Sequence, residues 1–343
     1  MDWFEQLTGF PESSYAQVQA SLEVRGTTLH SKVNGAAWGI GTLEVVSLQA
    51  LRERVAVRPA LPGRLKVSIV RGDARQLHRL PENTGALFQV ASQFNLLEMA
   101  SADVTPEDGV ARYAHDKTQG PACAIAAGAA TIYRNYFALV GGRAGQTKDR
   151  QIDTLAPLGE ALAQATGLPV EALWTIRNGY ALCTRNGVDA IDHCLAGLDE
   201  AGLDQLRSRL HIGLHHDVEV TDMPRDAGDG GARPFVSQAF CSALPIAYSR
   251  GAAGARWQAF ATLVLEAAYE ATFCAALARA EAGGSRRLLL TLVGGGVFGN
   301  AEAWVLTAME RAMRLFEGSA LDVQVVSFSP PSPDLVERLS ALR

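Results

Sequence analysis

Two stretches of this chain hold residues whose types and spacing could do chemistry. The first is "RRLLLTLVGGGVFGN", residues 286 to 300, in which an apolar run ends in Gly294, Gly295 and Gly296, with Gly299 and Asn300 close behind. Glycines at the carboxyl end of a buried strand let the backbone approach a ligand. A helix that follows offers free N–H groups and the positive end of its dipole, so an anion such as a diphosphate is the natural guest. Gly294, Gly296 and Gly299 spell GxGxxG, but only one strand lies downstream and no acid follows about 20 positions on. There is no GK[ST] either, so neither familiar nucleotide loop fits. The second stretch is the 25-residue segment Leu96 to Gly120, "LLEMASADVTPEDGVARYAHDKTQG", which carries Glu98, Asp103, Asp108 and Asp116. A loop of that length inside a compact domain is more often functional than decorative. His215, His216 and Asp217 stand side by side, but neighbours on a strand face opposite ways and do not easily share an ion, so no metal site is expected. Cys123 and Cys241 have no near partner that would make them nucleophiles.

These segments need elements to position them. "RLKVSIVRGD" predicts a buried strand from Leu65 to Val70 and a turn at Gly72-Asp73. "TGALFQVASQFN" predicts a second strand ending at Asn95, and "ACAIAAGAATIYRNYFALV" one tightly packed helix leading into a strand. Further strands are expected in "LHIGLHHDVEVTDMP", "PFVSQAFCSALPIAYS", "RRLLLTL" and "LDVQVVSFSP". Ala255 to Ala282 reads as a long core helix, with Glu266 and Glu270 arguing against a membrane span. Residues 1–64 read as a strand-rich extension. Residues 146–210, including "VEALWTIRNGYAL", show helical spacing and no strand pattern, and read as a helical insertion. The loop "RDAGDGGAR" is acid- and glycine-rich. Strands alternating with helices imply a largely parallel sheet covered on both faces.

Composition sets the outer bounds. The chain has 343 residues, 48 % apolar and 20 % charged, with a net charge of −5. That is globular and offers no basic surface for nucleic acid or membrane. Five scattered cysteines read as reduced thiols of an intracellular protein, and the N-terminus shows no Sec-type signal.

Taken together, "VSIVRGDARQL" (67–77), "ALFQVASQFN" (86–95) and "LVGGGVFGNAEAW" (292–304) resemble the macrodomains. The first is similar to their strand with a "GDIT"-type opening, the second to the strand that ends in "NAAN", and the third to their second phosphate loop. The resemblance spans 65–145 and 211–335 and implies a macrodomain-like three-layer α/β/α fold with a mixed, largely parallel sheet, a helical insertion and an N-terminal extension. The acidic loop replaces the usual first glycine loop. In this it looks more like the MavL-type ADP-ribosyl-ubiquitin hydrolases of bacterial effectors and, more distantly, the poly(ADP-ribose) glycohydrolases, whose paired-glutamate motif is missing here.

The resemblance implies an ADP-ribose ligand, no cofactor, and hydrolysis of mono-ADP-ribose from a protein side chain, arginine-linked, with ubiquitin a candidate target. The setting would be the cytoplasm, or a host cytosol for a delivered effector. A non-catalytic ADP-ribose reader, or a hydrolase of poly(ADP-ribose) or of free ADP-ribose derivatives, is the alternative. Asp73 would meet the adenine amine and Asn95 the distal ribose. Gly294, Gly295, Gly296, Val297 and Gly299 would wrap the diphosphate, with Phe298 on a sugar or ring face and Asn300 as cap or contact. Gln119 and Gly120 would offer backbone N–H groups. Cleavage at an anomeric carbon passes through an oxocarbenium-like state and needs a carboxylate to manage water. Asp108 and Asp116 are the first expectations, Asp103 the third, and Glu98 a supporting ligand residue.

Overall fold

The computed structural model describes residues 1–57, 61–223 and 233–341. At its centre is a seven-stranded sheet: β1 (Thr42–Ser47), β2 (Lys66–Arg71), β3 (Leu87–Ala91), β4 (His211–Glu219), β5 (Phe235–Cys241), β6 (Arg287–Leu290) and β7 (Asp322–Ser327). The spatial order is β1-β4-β5-β3-β6-β7-β2. From β5 to β2 every neighbouring pair is parallel, and β4 alone runs the other way, antiparallel to both β1 and β5. The sheet is therefore mixed and largely parallel.

The apolar runs of the inner strands follow from burial on both faces. In β6, Leu288 and Leu290 enter the core beneath one helical layer, while Leu289 points into the core beneath the other. The first layer is built on α8 (Gln258–Glu281), which packs against α1 (Leu48–Ala56) and α9 (Glu302–Leu315), with α10 (Pro333–Ser340) beyond α9. The second contains α2 (Ala74–Arg79), α3 (Gln119–Ala126) and α4 (Gly128–Tyr136). By length and composition α8 could cross a membrane, yet most of it is buried inside the fold. Its two acids are ion-paired: Glu270 with Arg52 and Arg311, Glu266 with Arg207.

Four segments depart from the sequence reading. The N-terminal stretch is not simply strand-rich. It holds two short helices (Trp3–Thr8, Tyr15–Ser21) and a small antiparallel sheet, and it then supplies β1 and α1 to the central layers. Strand β3 stops at Ala91, four residues short of Asn95, because Gln93 and Leu96 close a turn and Leu96 takes a left-handed φ of 65°. The small-residue run is two helices, broken at Ala127 (φ −110°, ψ 58°).

The insertion is helical in α5 (Ala156–Thr166), α6 (Arg185–Ala196) and α7 (Glu200–Ser208), but Trp174–Arg177 and Tyr180–Cys183 form an antiparallel hairpin. Asn178 and Gly179, with φ of 48° and 78°, make its turn; two positive φ angles in a two-residue loop match the twist of the strands. Of the loop at 225–233, residues 225–232 lie outside the described residues.

Candidate functional site

Parallel strands gather their carboxyl ends along one edge of a sheet, and the loops leaving that edge can enclose a ligand. Here the segments after β3, β5, β6 and β7, together with 98–100 and 116–120, line a cavity of about 770 Å³. That is ordinary for a small-molecule site.

The glycine turn forms one wall. Gly294 adopts φ 78°, and a Cβ there would lie 2.3 Å from the Ala243 Cβ and 2.8 Å from Asn300 Nδ2, so no side chain is tolerated. Asn300 is buried and ties the turn together. Its Nδ2 donates to the carbonyls of Leu244 (2.9 Å) and Gly294 (3.2 Å), and its backbone N–H also reaches Gly294 O (3.1 Å). It is a loop staple, and Ala301 precedes α9 as its cap. Gly296 has no atom within 4 Å of where a Cβ would be, so this part of the turn faces open space. Phe298 packs with Tyr180 and Tyr248, with ring centroids 5.0–5.8 Å apart, and the three line the cavity as one aromatic wall.

The opposite wall carries the acids. Glu98 lines the cavity yet is only 6 % exposed, and its Oε1 has no hydrogen-bond partner. Burial drives this carboxyl well above its ordinary value; the Arg134 charge opposes the rise and Asp116 adds to it. A Cβ at Gly120 would lie 2.5 Å from Glu98 Oε2, so α3 begins directly against the carboxyl only because that position is glycine. The Glu98 N–H donates to the Tyr113 hydroxyl at 2.9 Å. Asp116 and Gln119 also line the cavity. Asp116 accepts the Thr118 N–H (2.8 Å), and Gln119 Oε1 accepts the Ala74 N–H (2.7 Å). Asp73, just before Ala74, caps α2 by accepting the Arg75 N–H at 2.8 Å and does not itself line the cavity.

The structure therefore brings together Glu98, Asp116, Gln119, Gly120, Gly294 to Gly296, Val297 and Phe298, and leaves other expected residues outside. Asp108 is exposed and accepts from the Thr105 N–H (2.8 Å) and Oγ1 (3.0 Å) as half of a capping box. Asp103 is exposed and ion-paired with Arg177. Asn95 is buried away from the cavity; its Nδ2 donates to Gln151 Oε1 (2.8 Å) and its Oδ1 accepts the Leu97 N–H (3.1 Å), organising the turn that leads to Glu98. His215 and His216 point to opposite sides: His215 meets Arg134 Nη1 at 3.2 Å, His216 the Glu44 carboxylate at 2.9 Å. Ser92, Gln93, Tyr180 and Tyr248 line the cavity without having been expected there. For Tyr180, the Asn178-Gly179 pair was a usable hairpin signal.

Comparison with known proteins finds no matching family model and no curated relative. Solved structures similar to this chain are poly(ADP-ribose) glycohydrolases. One, from Deinococcus radiodurans in complex with ADP-ribose, is 14 % identical with a TM-score of 0.45, covering 88 % of this chain and 95 % of that one. Another, from Thermomonospora curvata and bound to the inhibitor ADP-HPD, is 15 % identical with a TM-score of 0.41, covering 96 % of both chains. At these values the likeness carries no argument about the site, whose reading rests on its own geometry.

Proposed function

We propose that this chain binds an ADP-ribosyl group in the cavity and hydrolyses the bond at its anomeric carbon. The observation that carries the reading is a buried carboxyl without a hydrogen-bond partner at Oε1, Glu98, across one cavity from a strand-end glycine turn. The turn suits a diphosphate, which needs close backbone approach and a positive helix end. The aromatic wall of Tyr180, Tyr248 and Phe298 suits a flat ring or sugar face.

A carboxyl whose proton is held by burial is suited to acid–base work near neutral pH. Glu98 gives its proton to the departing oxygen or nitrogen as the anomeric bond breaks. Water then adds to the anomeric carbon and returns a proton to the Glu98 carboxylate, so the enzyme ends as it began. Asp116, at the same wall, adds negative charge where the oxocarbenium-like state needs it. The acid–base role thus falls to Glu98 rather than to Asp108 or Asp103. In its finer form the substrate is mono-ADP-ribose on a protein side chain, arginine-linked, with ubiquitin among the targets to be tried and poly(ADP-ribose) as the alternative polymer substrate.

The test is release of free ADP-ribose from arginine-, glutamate- and serine-linked mono-ADP-ribosylated proteins, from ADP-ribosylated ubiquitin, and from poly(ADP-ribose). Wild type is run beside Glu98→Gln, with ADP-ribose binding followed by calorimetry. Release from one substrate class, lost in a variant that still binds ADP-ribose, supports the reading. Binding without release makes the protein a reader, and neither removes the proposal.

A further inference from the structure

Arg134, on α4, is fully buried, and none of its contacts is anionic. Its Nε donates to the Leu96 carbonyl (3.2 Å), its Nη2 to Thr131 Oγ1 (2.8 Å), and its Nη1 meets His215 Nδ1 at 3.2 Å, while the guanidinium lies 3.9 Å over the Phe240 ring. Among the described residues no carboxylate forms an ion pair with it. A buried cation is expensive unless something nearby repays it. The carboxyl that feels its field is Glu98, two residues beyond Leu96. Leu96 sits at φ 65°, a left-handed conformation unfavourable to a leucine, and the Arg134 bond to its carbonyl helps to hold it there. That turn is what brings Glu98 to face the cavity.

We propose that Arg134 is a positioning residue for Glu98, fixing the turn that aims this carboxyl into the cavity and supplying a buried positive charge that acts on it there. This rests on the reading of Glu98 as the acid–base group. The groups facing Glu98 are few. They are the Tyr113 hydroxyl, Asp116, the Cys123 thiol midway along α3, Tyr180 from the hairpin and Arg134, with Lys117 beside Asp116 on the cavity wall. Arg134 and Lys117 are the cations among these described residues, Arg134 buried and Lys117 exposed. His215, on the far side of Arg134, is held neutral by burial and by that same charge. Without Arg134 the carboxyl keeps its proton to still higher pH and gives it less readily to the departing group.

The experiment follows the Glu98 titration directly, as the infrared band of the protonated carboxyl in each protein minus its Glu98→Gln counterpart, with kcat and KM measured across pH. In Arg134→Gln the midpoint moves up by about one pH unit or more, the effect of removing a nearby opposite charge, and the acid–base profile of kcat moves with it. Arg134→Lys keeps the charge but cannot serve all three hydrogen-bond partners. Its midpoint stays close to wild type while kcat falls and KM holds. An unchanged midpoint in Arg134→Gln overturns the proposal. Should that variant not fold, a wild-type kcat in Arg134→Lys overturns it instead. A wild type that releases no ADP-ribose, but whose Glu98 midpoint still responds to Arg134→Gln, removes the hydrolase reading and leaves the coupling standing.

Discussion

Replacing Glu98 with glutamine should stabilise the protein and abolish its hydrolysis together. The carboxyl is buried with Oε1 unpartnered, so in the folded state it must either carry a poorly solvated charge or hold a proton. Its folded value lies well above the ordinary 4.5. Between 4.5 and the folded value the folded chain binds more protons than the unfolded one, so wild-type stability falls as pH rises through that window. Glutamine has nearly the same shape and no charge to lose. Each pH unit crossed within that window costs wild type about 1.4 kcal/mol. With an unfolding entropy of about 2.1 cal/mol/K per residue over 343 residues, that becomes a Tm rise of about 2 °C for each such pH unit. The gain should shrink toward pH 5 and vanish near pH 4, where both states hold the proton. Loss of an acid–base group costs about 10²–10⁴ in kcat. Differential scanning calorimetry at pH 4.5, 6 and 8, beside the ADP-ribose release assay, reads both effects. A variant that melts below wild type at pH 8, or whose Tm difference is flat with pH, would refute the picture of an uncompensated carboxyl. Near-normal turnover would refute its role.

Gly294→Ala forces a Cβ against Ala243 at a left-handed position and should cost at least about 2 kcal/mol with loss of ADP-ribose binding. Gly296→Ala meets nothing within 4 Å and should leave Tm within about 1 °C of wild type while weakening ADP-ribose binding in calorimetry. Asp108→Ala should lower Tm slightly, since it removes a capping box worth about 1 kcal/mol or less, and leave kcat within twofold, because the side chain lies outside the cavity. His78 is buried with its pKa lowered to about 4, chiefly by desolvation, with Nδ1 against the Ala74 carbonyl and Nε2 accepting from Gln238. A depressed histidine contributes stability that is complete above its unfolded value of 6.5 and lost as pH falls toward 4. Tm measured from pH 7 to 4 should fall less steeply in His78→Gln than in wild type.

Much of the sheet could be read from the chain because buried strands leave short stretches rich in apolar residues, continuous in β6 and broken by Gln324 in β7 and by Ser237 and Gln238 in β5. "RRLLLTL", "LDVQVVSFSP" and "PFVSQAFC" each became a strand, and a glycine turn at the end of such a run could only sit at the edge where a cavity forms. The misreadings have physical causes. "WTIRNGYALC" carries apolar spacing that suits a helix over a short window, but Asn178-Gly179 permits the two positive φ angles of a hairpin turn. Overlooking that pair hid Tyr180, whose ring meets Phe298 across 118 residues of chain.

Choosing among the loop acids was harder, since Glu98, Asp103, Asp108 and Asp116 are chemically alike on paper. One of them did carry a legible local signal: Thr105-Pro106-Glu107-Asp108 has the spacing of a capping box, and a carboxylate committed to its own turn is a poor candidate for chemistry. Glu98 had no such signal. Its character comes from what surrounds it. The N-terminal extension and the loop share a core that includes Phe4, Trp38, Leu97, Met99 and Tyr113, and Glu12 clamps the loop by accepting the N–H groups of Val110 (2.9 Å) and Ala111 (2.7 Å). With the flanks of the acidic loop buried from one side, Glu98 is itself buried and lines the cavity that the glycine turn also lines. A residue's burial is set by segments far away in the chain, and so is its acidity. The carboxyl proposed for the chemistry is therefore the one whose neighbours in sequence say least about it.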